Sequence, residues 1–231
     1  MKRLLLAAIP AFALSLGLGT THLLAEQQAT HQDAAAANSL SEQEREAGWT
    51  LMFNGRDLGG WKMSDENPES VRVEEGMLIT HGRRGHIYFG EDGTGELTEF
   101  ELKADVYCKG PSNSGIYILT AYQPRGWPGK GFECQVANGY GDPRKTASIY
   151  AIDDIAESPA KDNAWFHYHI RVQDGTITIW INGDLANEWT QPEDWNNNNR
   201  NLNNPGTIAL QAHDPGSEVR FKNLKLRVID E

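Results

Sequence analysis

The chain has 231 residues, of which 32 are acidic and 21 are basic, and its formal net charge is −11. This length suits one domain with a sizeable core, and the acidic balance argues against binding nucleic acid through its phosphates. Two cysteines are too few for a disulfide-framework scaffold or a cysteine-rich zinc module. The 23 glycines and 7 tryptophans favour a turn-rich β protein.

Residues 1–25 have the pattern of a signal peptide. Two basic residues precede the uncharged apolar run 4–18, which suits a signal-peptide core and is short for a membrane span. Cleavage is expected after Ala25, with positions 34–37 as a second option and a retained anchor as the alternative. Removing those two basic residues from 21 leaves 19 against 32 acidic residues, a net charge of −13. The protein is therefore expected to be periplasmic or extracellular, without a stable membrane anchor after cleavage.

Residues 26–44 are predicted to be a flexible polar spacer, and residues 45–231 a single domain. Ser41 and Glu44 have the spacing of a capping box, which predicts a short helical turn over residues 41–47.

From Gly48 onward, alternating apolar and polar residues separated by turn residues predict short strands. These strands are expected at residues 50–53, 71–73, 77–80, 86–89, 99–108, 115–119, 132–136, 147–151, 166–172, 176–181, 207–212 and 218–228. Asp174-Gly175 and Asn182-Gly183 are typical hairpin turns. The absence of a βαβ spacing predicts an all-β, antiparallel β-sandwich or jelly roll. The Asn-rich segment 191–204 is predicted to be a surface loop and is a candidate for the mouth of a site.

Strand parity predicts a polar face. Glu133 and Gln135 alternate with apolar neighbours, as do Gln211 and His213, and Tyr150 is in phase with the polar residue at position 148. Ordinary exposure to solvent is the alternative explanation. The amide, carboxyl and imidazole groups nevertheless suit hydrogen bonds to the hydroxyl groups of a ligand.

The tryptophans divide into two groups. Those at strand ends or alternating positions are predicted to lie in the core: Trp49, Trp61, Trp165 and Trp180. Those in loops are candidates for stacking on a sugar ring: Trp127, Trp189 and Trp195.

Metal and thiol chemistry have weaker signals. Cys108 and Cys134 are expected to form one disulfide or to remain buried thiols. His167 and His169 have a spacing that can bind a metal but lack a third ligand. An oxygen-rich calcium site is possible at Asp142, Asp153 and Asp154. No cofactor is firmly predicted, although a divalent metal such as calcium is possible. His81 and His86 are expected at the surface.

Six segments, in order between residues 45 and 228, resemble the motifs of the 3-keto-disaccharide hydrolase domain family. They lie at residues 48–61, 113–117, 131–136, 146–150, 206–214 and 219–226. The resemblance implies a concanavalin- or glucanase-like jelly roll that acts on sugars whose C3 hydroxyl is oxidised to a ketone. Leu119 stands where relatives often have arginine, so either Arg125 replaces that arginine or specificity differs.

The residues also bear on the mechanism. Jelly-roll glucanases that use a covalent intermediate have a Glu-x-Asp-x-x-Glu strand, whereas this chain has Glu133, Gln135 and Asn138 at those positions. Because an amide can act neither as a carboxylate nucleophile nor as an acid, ordinary double displacement is disfavoured.

A 3-keto sugar offers another route, because the ketone acidifies the C2 hydrogen and permits elimination followed by hydration. Glu133 and His213 are the expected catalytic residues, in either order as base. The substrate-binding candidates are Asn113, Gln135, Tyr150, Gln211, Arg125 and Trp127. The expected partner is a sugar or oligosaccharide. The alternatives are a non-catalytic, lectin-like carbohydrate-binding module and a structural or adhesion domain.

Overall fold

Two antiparallel sheets pack face to face in a computed structural model that describes residues 37–229. The predicted all-β sandwich is confirmed. The predicted signal peptide and most of the predicted spacer lie outside the described residues. Within those residues, no helix is long and apolar enough to cross a membrane.

The strands and their order define the two layers. Residues 37–229 form thirteen strands, which are β1 Thr50–Leu51, β2 Trp61–Met63, β3 Val71–Glu74, β4 Met77–His81, β5 Gly85–Phe89, β6 Phe100–Lys109, β7 Ser114–Thr120, β8 Phe132–Val136, β9 Trp165–Gln173, β10 Thr176–Ile181, β11 Asp184–Thr190, β12 Thr207–Ala212 and β13 Glu218–Val228. The larger sheet has the order β11-β10-β9-β6-β13-β4-β3, with β1 also paired to β13. The smaller sheet has the order β2-β5-β12-β7-β8.

The short helix α1, Glu42–Glu46, begins at the predicted capping box. Its N-cap Ser41 accepts a hydrogen bond from the Glu44 amide at 3.1 Å and donates its own amide to the Glu44 carboxylate at 2.8 Å. Glu44 also pairs with Lys225 of β13 at 2.6 Å. Asn38 donates its amide to Asn223 at 2.6 Å. The last part of the predicted spacer is therefore bonded to the sandwich.

The core lies between the sheets because each strand turns alternate side chains inward. Fully buried aromatic and aliphatic side chains from both layers belong to one cluster, among them Phe100, Leu102, Phe221, Ile87, Ile116 and Leu210. Burial of each such side chain stabilises the fold by roughly 1.5–3 kcal/mol.

The predicted strand at residues 147–151 is wrong. Ala147 and Ala151 have left-handed φ angles of 74° and 58°, which break an extended ladder. Ile149 forms only isolated bridges, to Cys134 and to Asp153. Conversely, the sequence did not predict two strands at sheet edges, β2 and β11. The segment after Thr146 is therefore a loop that packs on β8.

Two of the four tryptophans predicted for the core lie elsewhere. Trp49 and Trp61 are buried as predicted, whereas Trp165 is 41% exposed and Trp180 is half-buried. Both of the latter alternate with buried neighbours such as Phe166, so they face outward from the larger sheet. Lysine, arginine and histidine side chains cover their rings, which lets aromatic groups occupy a solvent-facing sheet.

Cys108 and Cys134 are free thiols buried in the core. Burial raises the pKa of the Cys108 thiol to about 12 and that of Cys134 still further. The alternative of a disulfide between them is therefore wrong for this structure. Both groups are protonated at neutral pH and shielded from solvent, so they pack as small apolar side chains.

We expect a thiol-reactive reagent to label neither cysteine in the native protein and both after unfolding in denaturant. A reductant should leave the thermal midpoint unchanged, because there is no bridge to break. Calorimetric scans with and without reductant measure this directly. A fall of several degrees on reduction would show that the two residues are bridged.

Candidate active site

A cavity of about 330 Å³ opens on the smaller sheet, on the face turned away from the core. Its lining residues come from strands β7, β8 and β12 and from five segments between strands. The lining residues are Asn113, Tyr117, Trp127, Pro128, Glu133, Gln135, Tyr150, Arg200, Gln211 and His213. Seven of the eight residues predicted for the site are among them, and only Arg125 is not.

Strand register brings the floor of the pocket together. In the β7–β8 pairing, Tyr117 lies opposite Glu133 and Gly115 lies opposite Gln135. Strand β12 lies on the other side of β7 and contributes Gln211. The residues between these positions face the core, so one face of the sheet combines polar groups with a firm apolar backing.

Glu133 accepts two hydrogen bonds on the pocket floor. The Tyr117 hydroxyl donates to Oε2 at 2.8 Å, and the Gln211 amide donates to Oε1 at 2.7 Å. Desolvation nevertheless raises the pKa of Glu133 to about 7, against the lowering effect of these donors and of the Arg200 charge. Near neutral pH the carboxyl group is therefore populated in both of its protonation states.

Gly115 leaves the space that the Glu133 carboxyl group occupies. A Cβ atom at position 115 would lie 2.4 Å from Oε1 and 2.8 Å from Cγ of Glu133. No real side chain tolerates such contacts, so any residue with a Cβ there would displace the carboxyl group. The φ angle of Gly115 lies outside the left-handed region, so the backbone conformation does not require glycine here. The close approach of the Glu133 carboxyl group does.

His213 follows the end of β12 and is held by its neighbour Asp214. The His213 Nδ1 atom lies 2.8 Å from Asp214 Oδ2, which also accepts hydrogen bonds from Tyr140 at 3.1 Å and Ser217 at 2.8 Å. Although burial opposes its charge, the donors His213 and Ser217 hold the pKa of Asp214 below its usual value. This network assigns the Nδ1 proton to the Asp214 bond, which leaves Nε2 free to bind a proton.

Trp127 covers one side of the pocket. Its ring is tilted by 34° against the His213 ring at a centroid distance of 5.1 Å, and the Arg84 guanidinium lies 5.0 Å from the ring centroid. Glu66 fixes the loop, because its carboxylate accepts from Arg84 at 2.7 Å and from the Gly126 amide at 2.7 Å. The loop tryptophan predicted to stack on sugar therefore lies in the pocket.

Arg200 brings a positive charge into the pocket from the Asn-rich loop. It donates to the Tyr150 carbonyl at 3.1 Å. The Asn-rich loop therefore contributes a residue to the lining of the candidate pocket. Arg125 is exposed and outside the pocket lining, and only its carbonyl is used, as an acceptor for Gln123 at 2.6 Å. Leu119 is buried in the core, so Arg200 and not Arg125 supplies a cation here.

The sequence reasoning missed Tyr117, Pro128 and Arg200. Tyr117 alternates with apolar neighbours, as the predicted polar residues do, and it ends the Asn-Ser-Gly-Ile-Tyr segment. These two features could have placed it in the site. Arg200 is the only basic residue in segment 191–204. Its isolation among asparagines was a second signal.

Three buried amide oxygens near the pocket lack a hydrogen-bond partner within residues 37–229. They are Asn113 Oδ1, Gln135 Oε1 and Gln211 Oε1. Leaving a buried acceptor unpaired costs about 1–3 kcal/mol, so a native protein rarely groups several of them without a ligand or water. All three are acceptors, which suits a ligand rich in hydroxyl donors.

The profile of the 3-keto-alpha-glucoside-1,2-lyase-like domain family matches residues 48–227. The chain belongs to this family. The resemblance that the six sequence segments carried is thus confirmed. No curated protein matches the chain.

Solved structures support the fold of this family member. A provisionally assigned glycosyl hydrolase of Parabacteroides distasonis is 25% identical, with a TM-score of 0.72 over 84% of this chain and 100% of that one. A second from the same organism is 21% identical, with a TM-score of 0.62 over 78% and 99%. The carbohydrate-binding module CBM66 of Bacillus subtilis is 13% identical, with a TM-score of 0.52 over 74% and 97%. The last two likenesses concern the fold alone.

Four of the five candidate metal ligands of this family member have other side-chain partners. His167 bonds to Asp105 at 3.0 Å and His169 to Glu101 at 2.9 Å, on the outer face of the larger sheet. Two residues of the possible calcium site, Asp142 and Asp154, form ion pairs with Arg144. Across residues 37–229, no group of three or more His, Cys, Asp or Glu side chains is arranged to hold a metal ion.

His86 contradicts its predicted surface position. It is 1% exposed, because strands β2 and β12 flank β5 and the Trp127 ring contacts its imidazole. Desolvation lowers the pKa of His86 to about 3. His81 is half-buried at the end of β4.

The raised pKa of Glu133 predicts a pH dependence of stability. A carboxyl group with a pKa near 7 in the folded state and 4.5 in the unfolded state costs stability where it ionises. Relative to Glu133→Gln, the wild-type free energy of unfolding should fall by up to about 3 kcal/mol as the pH rises from 4.5 to above 7. Urea unfolding of both proteins across this range measures the difference. A difference independent of pH would contradict the desolvated carboxyl group.

Proposed function

We propose that this protein is an exported carbohydrate-active enzyme that cleaves 3-keto-glycosides by C2 proton abstraction, elimination and hydration. The observation that supports this most is the composition of the pocket. Among the described residues that line it, Glu133 is the one carboxyl group, and it is accompanied by the oriented imidazole of His213. Ordinary retaining and inverting glycosidases need two carboxyl groups across the scissile bond. The description of the family, a 3-keto-alpha-glucoside-1,2-lyase-like domain, supports the same class of substrate.

The reaction balances without an oxidant or reductant. A base removes the C2 proton, and the electrons of that C–H bond form an enolate with the C3 ketone. The enolate electrons then form a C1–C2 double bond while the C1–O bond breaks, and the leaving oxygen takes a proton. Addition of water, with hydroxide at C1 and a proton at C2, completes hydrolysis. If release occurs before hydration, the enzyme is a lyase.

His213 is assigned to the C2 proton. Its Nδ1 is held by Asp214 at 2.8 Å, so its ring orientation and the free Nε2 are both set before substrate arrives. The Asp214 charge also stabilises the imidazolium that forms when Nε2 accepts the proton.

Glu133 is assigned to the leaving oxygen. A carboxyl group with a pKa of about 7 retains a proton in a substantial fraction of molecules at neutral pH, which an exposed glutamate does not. Both of its oxygens are engaged by Tyr117 and Gln211, so its position is defined. After elimination, the resulting carboxylate can take a proton from the attacking water.

The remaining pocket groups suit the other needs of the reaction. The Arg200 guanidinium lies where it lowers the pKa of Glu133, so its charge is felt at the pocket floor and can stabilise an enolate oxygen. The unpartnered oxygens of Asn113, Gln135 and Gln211 are acceptors for sugar hydroxyls.

Leaving groups of different basicity test the two assigned roles. His213→Ala should lower kcat about 100- to 10,000-fold both for a 3-keto-disaccharide and for a 3-keto 4-nitrophenyl glucoside. Glu133→Gln should cause a similar loss for the disaccharide but less than about a 10-fold loss for the nitrophenyl glycoside, because nitrophenolate leaves without protonation. Steady-state kinetics on the two substrates provide the measurement.

The chain contains a matched control for the histidine variant. His167 pairs with Asp105 at 3.0 Å through Nδ1, as His213 pairs with Asp214, but it lies on the opposite sheet. His167→Ala should leave both rates unchanged. Full activity of His213→Ala would contradict its role, and the opposite leaving-group pattern would exchange the two assignments.

Substitutions of Arg200 and Arg125 test whether the reaction needs a cation inside the pocket or only in a loop near it. Arg200→Met should lower kcat for a 3-keto-glycoside about 100- to 1,000-fold, the scale of losing a group that stabilises developing negative charge. Arg125→Met, in the exposed loop, should change kcat less than about 2-fold, because the Arg125 side chain does not line the pocket. Equal effects of the two substitutions would remove Arg200 from the mechanism.

A panel of 3-keto-glucosides tests the function as a whole through release of the aglycone. Binding of unoxidised glycans without any product from the panel would favour the alternative, a non-catalytic carbohydrate-binding module. The proposed location outside the cytoplasm rests on the signal-peptide pattern of residues 1–25. Cell fractionation and N-terminal sequencing of the mature protein test it.

A further inference from the structure

The proposed reaction leaves one buried imidazole beside the pocket unused. His86 on β5 lies opposite Gln211 in the β5–β12 pairing, and each side chain is 1% exposed. The His86 ring contacts Tyr117 and Trp127 edge-on, with centroid distances of 5.6 and 5.7 Å. His86 therefore belongs to the polar face that forms the pocket floor, in a place closed by Trp127.

Two polar atoms at this place lack a partner within the described part of the chain. They are His86 Nε2 and Gln211 Oε1. The orientation of the Gln211 amide is set because its Nε2 donates to Glu133, so Oε1 is the acceptor that remains. Burial lowers the pKa of His86 to about 3, so its ring is neutral at physiological pH and has one N–H group and one bare nitrogen.

Directly opposite residues of an antiparallel pair have Cβ atoms about 4.5–5.5 Å apart, so one hydroxyl group between the two side chains can satisfy both atoms. With the proton on His86 Nε2, a hydroxyl accepts a hydrogen bond from that N–H and donates one to Gln211 Oε1. A deoxy carbon can do neither, and an ether oxygen cannot donate. Both unpaired atoms are buried, so a ligand that lacks this hydroxyl leaves them unpaired at full cost.

We propose that His86 and Gln211 form a niche that recognises one hydroxyl group of the sugar, and that His86 is a specificity-determining residue. The niche rests on the proposed function and adds to it the chemical group by which the substrate is selected. Because both atoms are buried, entry of the hydroxyl group requires displacement of the Trp127 ring, which packs edge-on against His86 at a centroid distance of 5.7 Å.

An unpaired imidazole nitrogen does not make a site on its own. His81 Nε2 is also buried without a partner among residues 37–229, but His81 lies on β4 of the larger sheet, away from the pocket. What distinguishes His86 is its register opposite Gln211, which lines the cavity. His81 is therefore the matched control.

The experiment measures calorimetric affinity for an unoxidised glucose disaccharide and for each of its monodeoxy analogues. His86→Phe keeps the aromatic ring and removes both nitrogens. It should weaken binding of the parent sugar about 10-fold. For the wild type, one analogue should bind about 10-fold more weakly than the parent sugar. For His86→Phe, that analogue and the parent sugar should bind equally well. For every other analogue, the ratio of its affinity to that of the parent sugar should be the same in His86→Phe as in the wild type. His81→Phe should change none of these affinities.

An equal loss for every analogue would overturn the niche and show that His86 only shapes the wall or holds a buried water. Absence of any sugar binding by the wild type would overturn it too. If His86→Phe lowers the thermal midpoint, His86→Asn repeats the comparison in a folded protein. Failure of the wild type to cleave 3-keto-glucosides would overturn the proposed function alone, because the calorimetric comparison requires no cleavage.

Discussion

Glu133 is a carboxyl group placed where water cannot fully solvate its charge, and the pocket is built around that constraint. Desolvation moves its pKa to about 7, against donors from Tyr117 and Gln211 and the charge of Arg200. Each donor to a charged group is worth roughly 1.5–3 kcal/mol, so the two donors oppose the desolvation and help to keep the ionised form accessible. A residue of this kind can both give and take a proton near neutral pH.

The sheet makes this arrangement possible through its two-residue period. Strands β7, β8 and β12 place apolar side chains in the core and polar ones in the pocket, at positions that pairing puts side by side. Gly115 then removes one side chain from this row, and the Glu133 carboxyl group occupies the space. Precision on the pocket floor therefore comes from regular strands with a rigid apolar backing.

The pocket residues above the sheet come from loops, and a hydrogen bond to a carboxylate or a carbonyl group holds each of them in position. Asp214 holds His213, Glu66 holds the loop of Trp127, and the Tyr150 carbonyl holds Arg200. A histidine–carboxylate pair alone does not mark a site, because similar pairs cover the outer face of the larger sheet. What distinguishes the pocket is the group of buried, unpaired acceptors beside the pair.

The sequence alone determined which residues share a face, because alternation along a strand places Glu133 with Gln135 and Gln211 with His213 whatever the rest of the fold does. It also determined the helix cap and, through ordered motifs, the family. Only the tertiary structure decided that Arg200 enters the pocket and that His86 is buried. Those outcomes depend on which strands pair and which loops meet over the sheet. Such contacts join residues far apart in the chain, as the bond from Gln211 to Glu133 does across 78 positions, and no local pattern encodes them.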